Sequence, residues 1–138
     1  MITIASFIII LFGLFLVFSG FLMFFKPEKV REIIAKAGST YLINYTELGI
    51  RLLIGIAFGY ISLYSIYELQ FKIIGYFLIV SALLLMLVPI KMHNQFSRKA
   101  AEKLKPIYLK ICAPFAIFLG TLLLIAIYNQ IQSFSFLN

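Results

Sequence analysis

Few residues in this sequence could do chemistry, and two of those stand one helical turn apart. Glu47 and Arg51 are four residues apart in the stretch "NYTELGIRLLIGIAFGY", which is the favourable order for an ion pair along a helix. Further steps of four residues reach Gly55 and Gly59. The four positions therefore share one helix face, and the surroundings of that helix decide whether the pair is a working site or an anchor.

The rest of the sequence offers little material for catalysis. His93 and Cys112 are the only histidine and the only cysteine, and all five acidic residues are glutamates. An active site needs a nucleophile with a base, a metal centre or a carboxylate pair, and the chain has no Cys/His cluster. We expect a solvated His93 on a surface helix and a Cys112 that packs between helices. The composition thus favours a protein that is not an enzyme and that uses no cofactor or metal.

The hydrophobic pattern predicts four transmembrane helices. Of the 138 residues, 63% are hydrophobic, and the mean hydropathy is +1.06. Four stretches carry no charge, namely residues 1–25, 52–67, 73–90 and 111–138, and a bilayer-spanning helix needs about 20 apolar residues. The second run reaches this length when its helix extends back through Glu47 and Arg51. We expect an all-α fold in one membrane domain over residues 1–138, with the first run retained rather than cleaved as a signal.

The positive charges predict the orientation of these helices. The net charge is +7, and eleven of the twelve Lys and Arg residues lie in the segments 26–51 and 91–110. Both segments fall on the same side of a four-helix arrangement, and the positive-inside rule assigns that side to the cytoplasm. The expected location is the bacterial inner membrane, with several spans and both termini on the periplasmic or extracellular side. The charges then face anionic lipid headgroups, and no nucleic-acid partner is expected.

The two halves of the sequence resemble each other. The stretch "GLFLVFSGFLMFFKPEK" (13–29) matches "GYFLIVSALLLMLVPIK" (75–91) at seven of seventeen positions, 62 residues apart. Each half reads as a helix, a proline, a basic segment and a second helix. Because the first and third helices cross in the same direction, we expect a parallel two-fold internal repeat, with halves of about residues 1–66 and 67–138.

The two basic segments are expected to form short helices on the membrane surface. Apolar residues recur at helical spacing in both, and the charged residues lie away from that stripe. Gly38 is a natural end for the first of these helices, and Ser39 or Thr40 can cap the helix that follows. In the last span, Pro114 falls inside the helix and predicts a kink or a freed carbonyl.

Residues 11–66 resemble the small two-helix bacterial inner-membrane proteins of unknown function (YjeT-like), and the second half does so more faintly. Their pattern is a Gly-Leu-rich helix, a proline, a basic amphipathic stretch, and an arginine leading a glycine-containing second helix. The matching positions are Gly13, Gly20, Pro27, Arg51 and Gly55. The acidic residue of the first helix in that family is missing, and Ser19 stands near its place. In length and helix count the chain is also similar to the DoxX-like four-helix membrane proteins. These resemblances imply a membrane bundle and supply no catalytic residue.

Two functions remain open from the sequence. One is a non-enzymatic accessory protein or subunit that packs against itself, as a homo-oligomer, or against a membrane partner. The alternative is a carrier or binding protein for a lipid or a small apolar molecule. Helix packing and lipid-headgroup contact are both possible roles for five residues: Glu47, Arg51, Gly55, Gly59 and Lys110.

Overall fold

The computed structural model describes residues 1–137, and it contains six α-helices. They are α1 (Ile2–Phe25), α2 (Pro27–Lys36), α3 (Tyr41–Ser62), α4 (Glu68–Leu87), α5 (Ile90–Lys103) and α6 (Pro106–Leu137). Over this range no residue lies in a strand, so the predicted all-α class is confirmed. Four helices are long and apolar enough to cross a membrane, namely α1, α3, α4 and residues Pro106–Phe136 of α6. The prediction of a multi-pass membrane protein is therefore confirmed.

The helix boundaries lie where proline, glycine and threonine predict them. Pro27 begins α2 directly after α1, in the first helical turn, where its missing N–H costs no hydrogen bond. Gly38 has a φ of 73°, a left-handed conformation that glycine adopts without strain. The side chain of Thr40 accepts a hydrogen bond of 3.1 Å from the backbone N of Ile43 and caps α3.

The four long helices form two antiparallel pairs, α1 with α6 and α3 with α4. Glycines allow this close approach, because a Cβ built on Gly120 would lie 2.8 Å from the carbonyl oxygen of Gly13. In the second pair, a Cβ on Gly75 would lie 3.0 Å from the carbonyl oxygen of Gly55. Each pair is thus held by backbone-to-backbone packing of the kind that stabilises helices in lipid.

One hydrophobic cluster joins the two pairs at the end of the molecule where α1 begins. It includes Ile9 of α1, Phe58 of α3, Phe71 of α4 and Ile127 of α6. The ring of Phe58 makes edge-to-face contacts with Phe12, at 6.0 Å between centroids, and with Phe71, at 5.5 Å. The shared core therefore lies in one half of the bundle, far from α2 and α5.

The short helices α2 and α5 pack on each other at the opposite end. Each one satisfies carbonyls at the C-terminus of the other, which would otherwise lack donors. Arg31 of α2 donates from Nε to the carbonyl oxygen of Ala101, at 3.0 Å. Asn94 of α5 donates from Nδ2 to the carbonyl oxygens of Ala35 and Ala37, at 3.1 and 3.0 Å. These reciprocal caps close this end of the fold.

Candidate functional site

The charged pair forms an ion pair within α3. The Nη2 of Arg51 donates to Oε1 of Glu47 at 3.2 Å, and the side chains are 32% and 33% exposed. Arg51 is the eleventh of the 22 residues of α3, so it lies about 15 Å from the start of the helix. An ion pair at this depth in a membrane-spanning helix is unusual and marks a candidate site.

Arg51 belongs to the face of α3 that packs against the rest of the protein. The buried residues on this face include Asn44, Leu48, Gly55, Phe58 and Ser62. They follow one another in steps of four or three residues, except that the step from 48 to 55 skips position 51. Since residues at this spacing share one helix face, Arg51 points to the packed side. The pair therefore lies at the packed face of α3, with about one third of each side chain left uncovered.

The two glycines above the pair have different surroundings. A Cβ built on Gly55 would lie 2.8 Å from Cγ1 of Ile79 and 3.0 Å from the carbonyl oxygen of Gly75. A Cβ built on Gly59 would meet no atom within 4 Å. The backbone N of Gly59 is nevertheless close to α4, because a Cβ on Gly75 would lie 2.9 Å from it. Position 55 thus has no space for a side chain, whereas position 59 has room for one.

His93 is buried, so the expectation of a solvated histidine was wrong. Its side chain is 4% exposed, and its Nδ1 lies 2.6 Å from Oδ1 of Asn44, which is 3% exposed. A Cβ on Gly38 would lie 2.9 Å from the same Nδ1, so the left-handed glycine also makes room for the ring. The signal in the sequence was the spacing of four from His93 to Ser97 and Ala101, which are both buried.

At the end of the bundle opposite α2 and α5, Gln130 forms two hydrogen bonds with the backbone of the turn between α3 and α4. It is 1% exposed. Its Nε2 donates to the carbonyl oxygen of Tyr64 at 2.8 Å, and its Oε1 accepts from the backbone N of Ile66 at 3.1 Å. Sequence reasoning missed this residue, because nothing local distinguishes it from the neighbouring polar residues Asn129 and Gln132.

An apolar groove of about 550 Å³ runs between α1 and α6. Phe21, Phe24 and Phe25 line it from α1, and Pro114 and Phe118 are among its residues on α6. Lys110 stands one helical turn before Pro114 and is exposed. The groove thus has hydrocarbon walls and a positive charge near one end.

The remaining potential ligands do not come together. Among residues 1–137, no three His, Cys, Asp or Glu side chains are placed to hold a metal ion. Cys112 is exposed, so the expectation that it packs between helices was wrong. Comparison of the chain with protein-family models, curated proteins and solved structures found no match. The Glu47–Arg51 pair and the groove beside Lys110 are therefore the two candidate sites.

Proposed function

We propose that the protein is a non-enzymatic membrane subunit or accessory protein that associates with a second copy of itself or with another membrane protein. The observation that carries this proposal is the partly accessible Glu47–Arg51 pair on the packing face of α3. Within a membrane, the space beside the pair holds lipid, water or polypeptide. Lipid against a charged pair is costly, whereas a polypeptide can offer hydrogen-bonding groups.

The position of the shared core supports the same proposal. The two helix pairs are joined by the cluster around Phe58 and Phe71, more than one helical turn away from Arg51 along α3. Arg51 continues the packing stripe of α3 beyond this cluster, and yet its side chain keeps about one third of its surface. A further transmembrane helix that docks along this part of α3 would extend the packed interface and cover the pair.

The test is the composition of the complex isolated from native membranes. The tagged full chain is extracted in polymer nanodiscs, without detergent, and the mass of the particles and the polypeptides in them are measured. We expect two or more copies, or one stoichiometric partner, and we expect dissociation when Glu47→Leu and Arg51→Leu are combined. Single chains without a companion in the wild type would contradict the proposal. The matched control replaces the exposed pair of Glu68 and Lys72 with two leucines, and it should leave the complex intact.

The proposed location is the bacterial inner membrane, with both termini outside and with α2 and α5 in the cytoplasm. The support is the uneven distribution of the twelve basic residues and the positive-inside rule. Reporter fusions after residues 40 and 100 should read as cytoplasmic, and a fusion at residue 138 should read as periplasmic. A cytoplasmic reading at residue 138 would contradict this topology.

We also propose that the two halves are copies related by a two-fold axis along the membrane normal. The three buried residues of α4 have buried counterparts 62 positions earlier in α1, which are Ile9 for Phe71, Gly13 for Gly75 and Gly20 for Ala82. Five buried residues of α3 have buried counterparts 65 positions later in α6. In α3 they are residues 44, 48, 55, 58 and 62. An experimental structure in a bilayer should superpose the halves after a rotation of about 180°, and an antiparallel relation would contradict the repeat.

A second candidate function is the binding of a membrane lipid, and the observation that favours it is the groove between α1 and α6. The groove would hold the apolar chain of the lipid against two membrane-spanning helices, and no catalytic step is involved. The two functions are compatible, because the groove and the Glu47–Arg51 pair involve different helices.

A further inference from the structure

We propose that the groove between α1 and α6 binds an acyl chain of an anionic phospholipid whose phosphate contacts Lys110. This inference rests on the second candidate function, lipid binding, and it names the class of lipid and the leaflet. Under the proposed topology, Lys110 lies toward the cytoplasmic side, so the lipid comes from the inner leaflet.

The walls of the groove fit a hydrocarbon chain. Phe21, Phe24 and Phe25 on one side and Pro114 and Phe118 on the other expose almost only carbon. Both walls belong to helices that can span the membrane, so a molecule that reaches the groove comes from the bilayer. From Lys110 to Phe118 the helix rises about 12 Å, which accommodates much of the length of an acyl chain below its headgroup.

The end of the groove selects a negative headgroup. In the described part of the chain, no carboxylate lies within 4.0 Å of the ammonium group of Lys110, since the ion pairs there join other residues. Pro114 has no N–H, so the carbonyl of Lys110 loses its usual intrahelical donor. A phosphate can pair with the ammonium, and a hydroxyl of the headgroup can donate to that carbonyl.

A second cation lies at the same level. In the antiparallel α1–α6 pair, Gly20 packs against Ala113. Lys26 follows Gly20 by six residues on α1, and Lys110 precedes Ala113 by three residues on α6. Both lysines therefore stand near the same end of the groove, where their charges add to the attraction for an anionic lipid.

The exposed surface of α4 provides a matched control. It has an open apolar depression lined by Tyr76, Phe77 and Val80, among others. On its cytoplasmic side the next lysine is Lys91, seven residues beyond Leu84, the last residue of that lining. On the opposite side Lys72 precedes Tyr76 by four residues, but its Nζ is 3.7 Å from Oε1 of Glu68, so its charge is paired. Lys110, in contrast, is four residues from the groove residue Pro114. The two surfaces are similar in chemistry, but in the described residues only the groove has a lysine within one helical turn of its lining on the cytoplasmic side.

The experiment uses tryptophan as a reporter, because the chain contains none. Phe118→Trp places the reporter in the groove, and Phe77→Trp places it on α4 at a similar distance from the cytoplasmic end. Each full-length variant is reconstituted in phosphatidylcholine vesicles with brominated phosphatidylglycerol or brominated phosphatidylcholine, and fluorescence quenching gives the relative affinity. For the Phe118→Trp variant we expect about a fivefold preference for phosphatidylglycerol, and for the Phe77→Trp variant a ratio near one.

When Lys110→Gln is added to the Phe118→Trp variant, the ratio should fall, and when Lys26→Gln is added as well it should fall close to one. Lys99→Gln, which removes a charge from α5, should leave the ratio unchanged. Equal quenching of the groove reporter by the two lipids would overturn the proposal, as would a preference that Lys110→Gln leaves undiminished. The number of chains per particle is measured on the same samples. A loss of lipid preference with unchanged stoichiometry therefore separates this inference from the association proposed for Glu47 and Arg51.

Discussion

The Nδ1 of His93 and the Oδ1 of Asn44 lie 2.6 Å apart and connect α5 to the start of α3. Both side chains are almost fully buried, so removal of one leaves the other without its partner. We expect His93→Ala and Asn44→Ala each to lower the free energy of unfolding by about 1–3 kcal/mol. The double variant should cost less than the sum of the two.

Thermal unfolding in mild detergent measures this coupling. Gln95→Ala is the control, because Gln95 is exposed on the same helix, and it should leave the midpoint unchanged. Strictly additive effects of His93→Ala and Asn44→Ala would show that the two side chains do not act as a pair.

Alanine substitutions at Gly55 and Gly59 should differ in their effect on stability. A Cβ at Gly55 collides with Ile79 and with the backbone of Gly75, whereas a Cβ at Gly59 meets open space. We expect Gly55→Ala to destabilise the protein by about 1–3 kcal/mol. Gly59→Ala should be neutral or stabilise by up to about 1 kcal/mol, because alanine favours a helix. Equal unfolding midpoints of the two variants would contradict the packing of α3 on α4.

Replacement of Gln130 should loosen the turn between α3 and α4. Gln130→Leu removes a donor to the carbonyl of Tyr64 and an acceptor for the N–H of Ile66. The expected loss is about 1–3 kcal/mol in the free energy of unfolding, and hydrogen exchange at Ile66 should become faster. Gln132→Leu changes an exposed residue of the same helix and serves as the control; a similar loss there would argue against a specific role of Gln130.

Substitutions at Arg51 separate a simple anchor from a specific contact. An arginine that only holds a charge near Glu47 can be replaced by lysine. We therefore expect Arg51→Lys to remain stable and correctly inserted, Arg51→Leu to lower the thermal aggregation temperature modestly, and Glu47→Gln to restore part of that loss. If Arg51→Lys were as harmful as Arg51→Leu, and Glu47→Gln gave no rescue, the planar guanidinium would have a specific ligand.

Features with a strong local signal could be predicted from the sequence. The apolar runs indicated the four long helices, and Pro27, Gly38 and Thr40 marked the ends of elements, because each acts through its own backbone or side chain. The contacts of His93 and Gln130 could not be predicted. Each depends on a residue about 50 or more positions away along the chain, and burial of a polar side chain becomes acceptable only when tertiary packing supplies the partner.

The candidate site was predictable only in part, for the same reason. The spacing of Glu47 and Arg51 indicated an ion pair, which lies within one helix and needs no tertiary information. The difference between Gly55 and Gly59 depends on the register of α3 against α4. The groove beside Lys110 depends on the pairing of α1 with α6, which the sequence did not indicate.

The claim that a polypeptide covers the Glu47–Arg51 pair is tested most directly by photo-cross-linking in intact membranes. A benzophenone amino acid replaces Ile54, which is half-buried about one turn from Arg51, or Leu53, which is 52% exposed. We predict that illumination of the Ile54 variant links the chain to a second polypeptide, and that the Leu53 variant gives little of this product. Bands of single-chain mass alone from the Ile54 variant would contradict the claim.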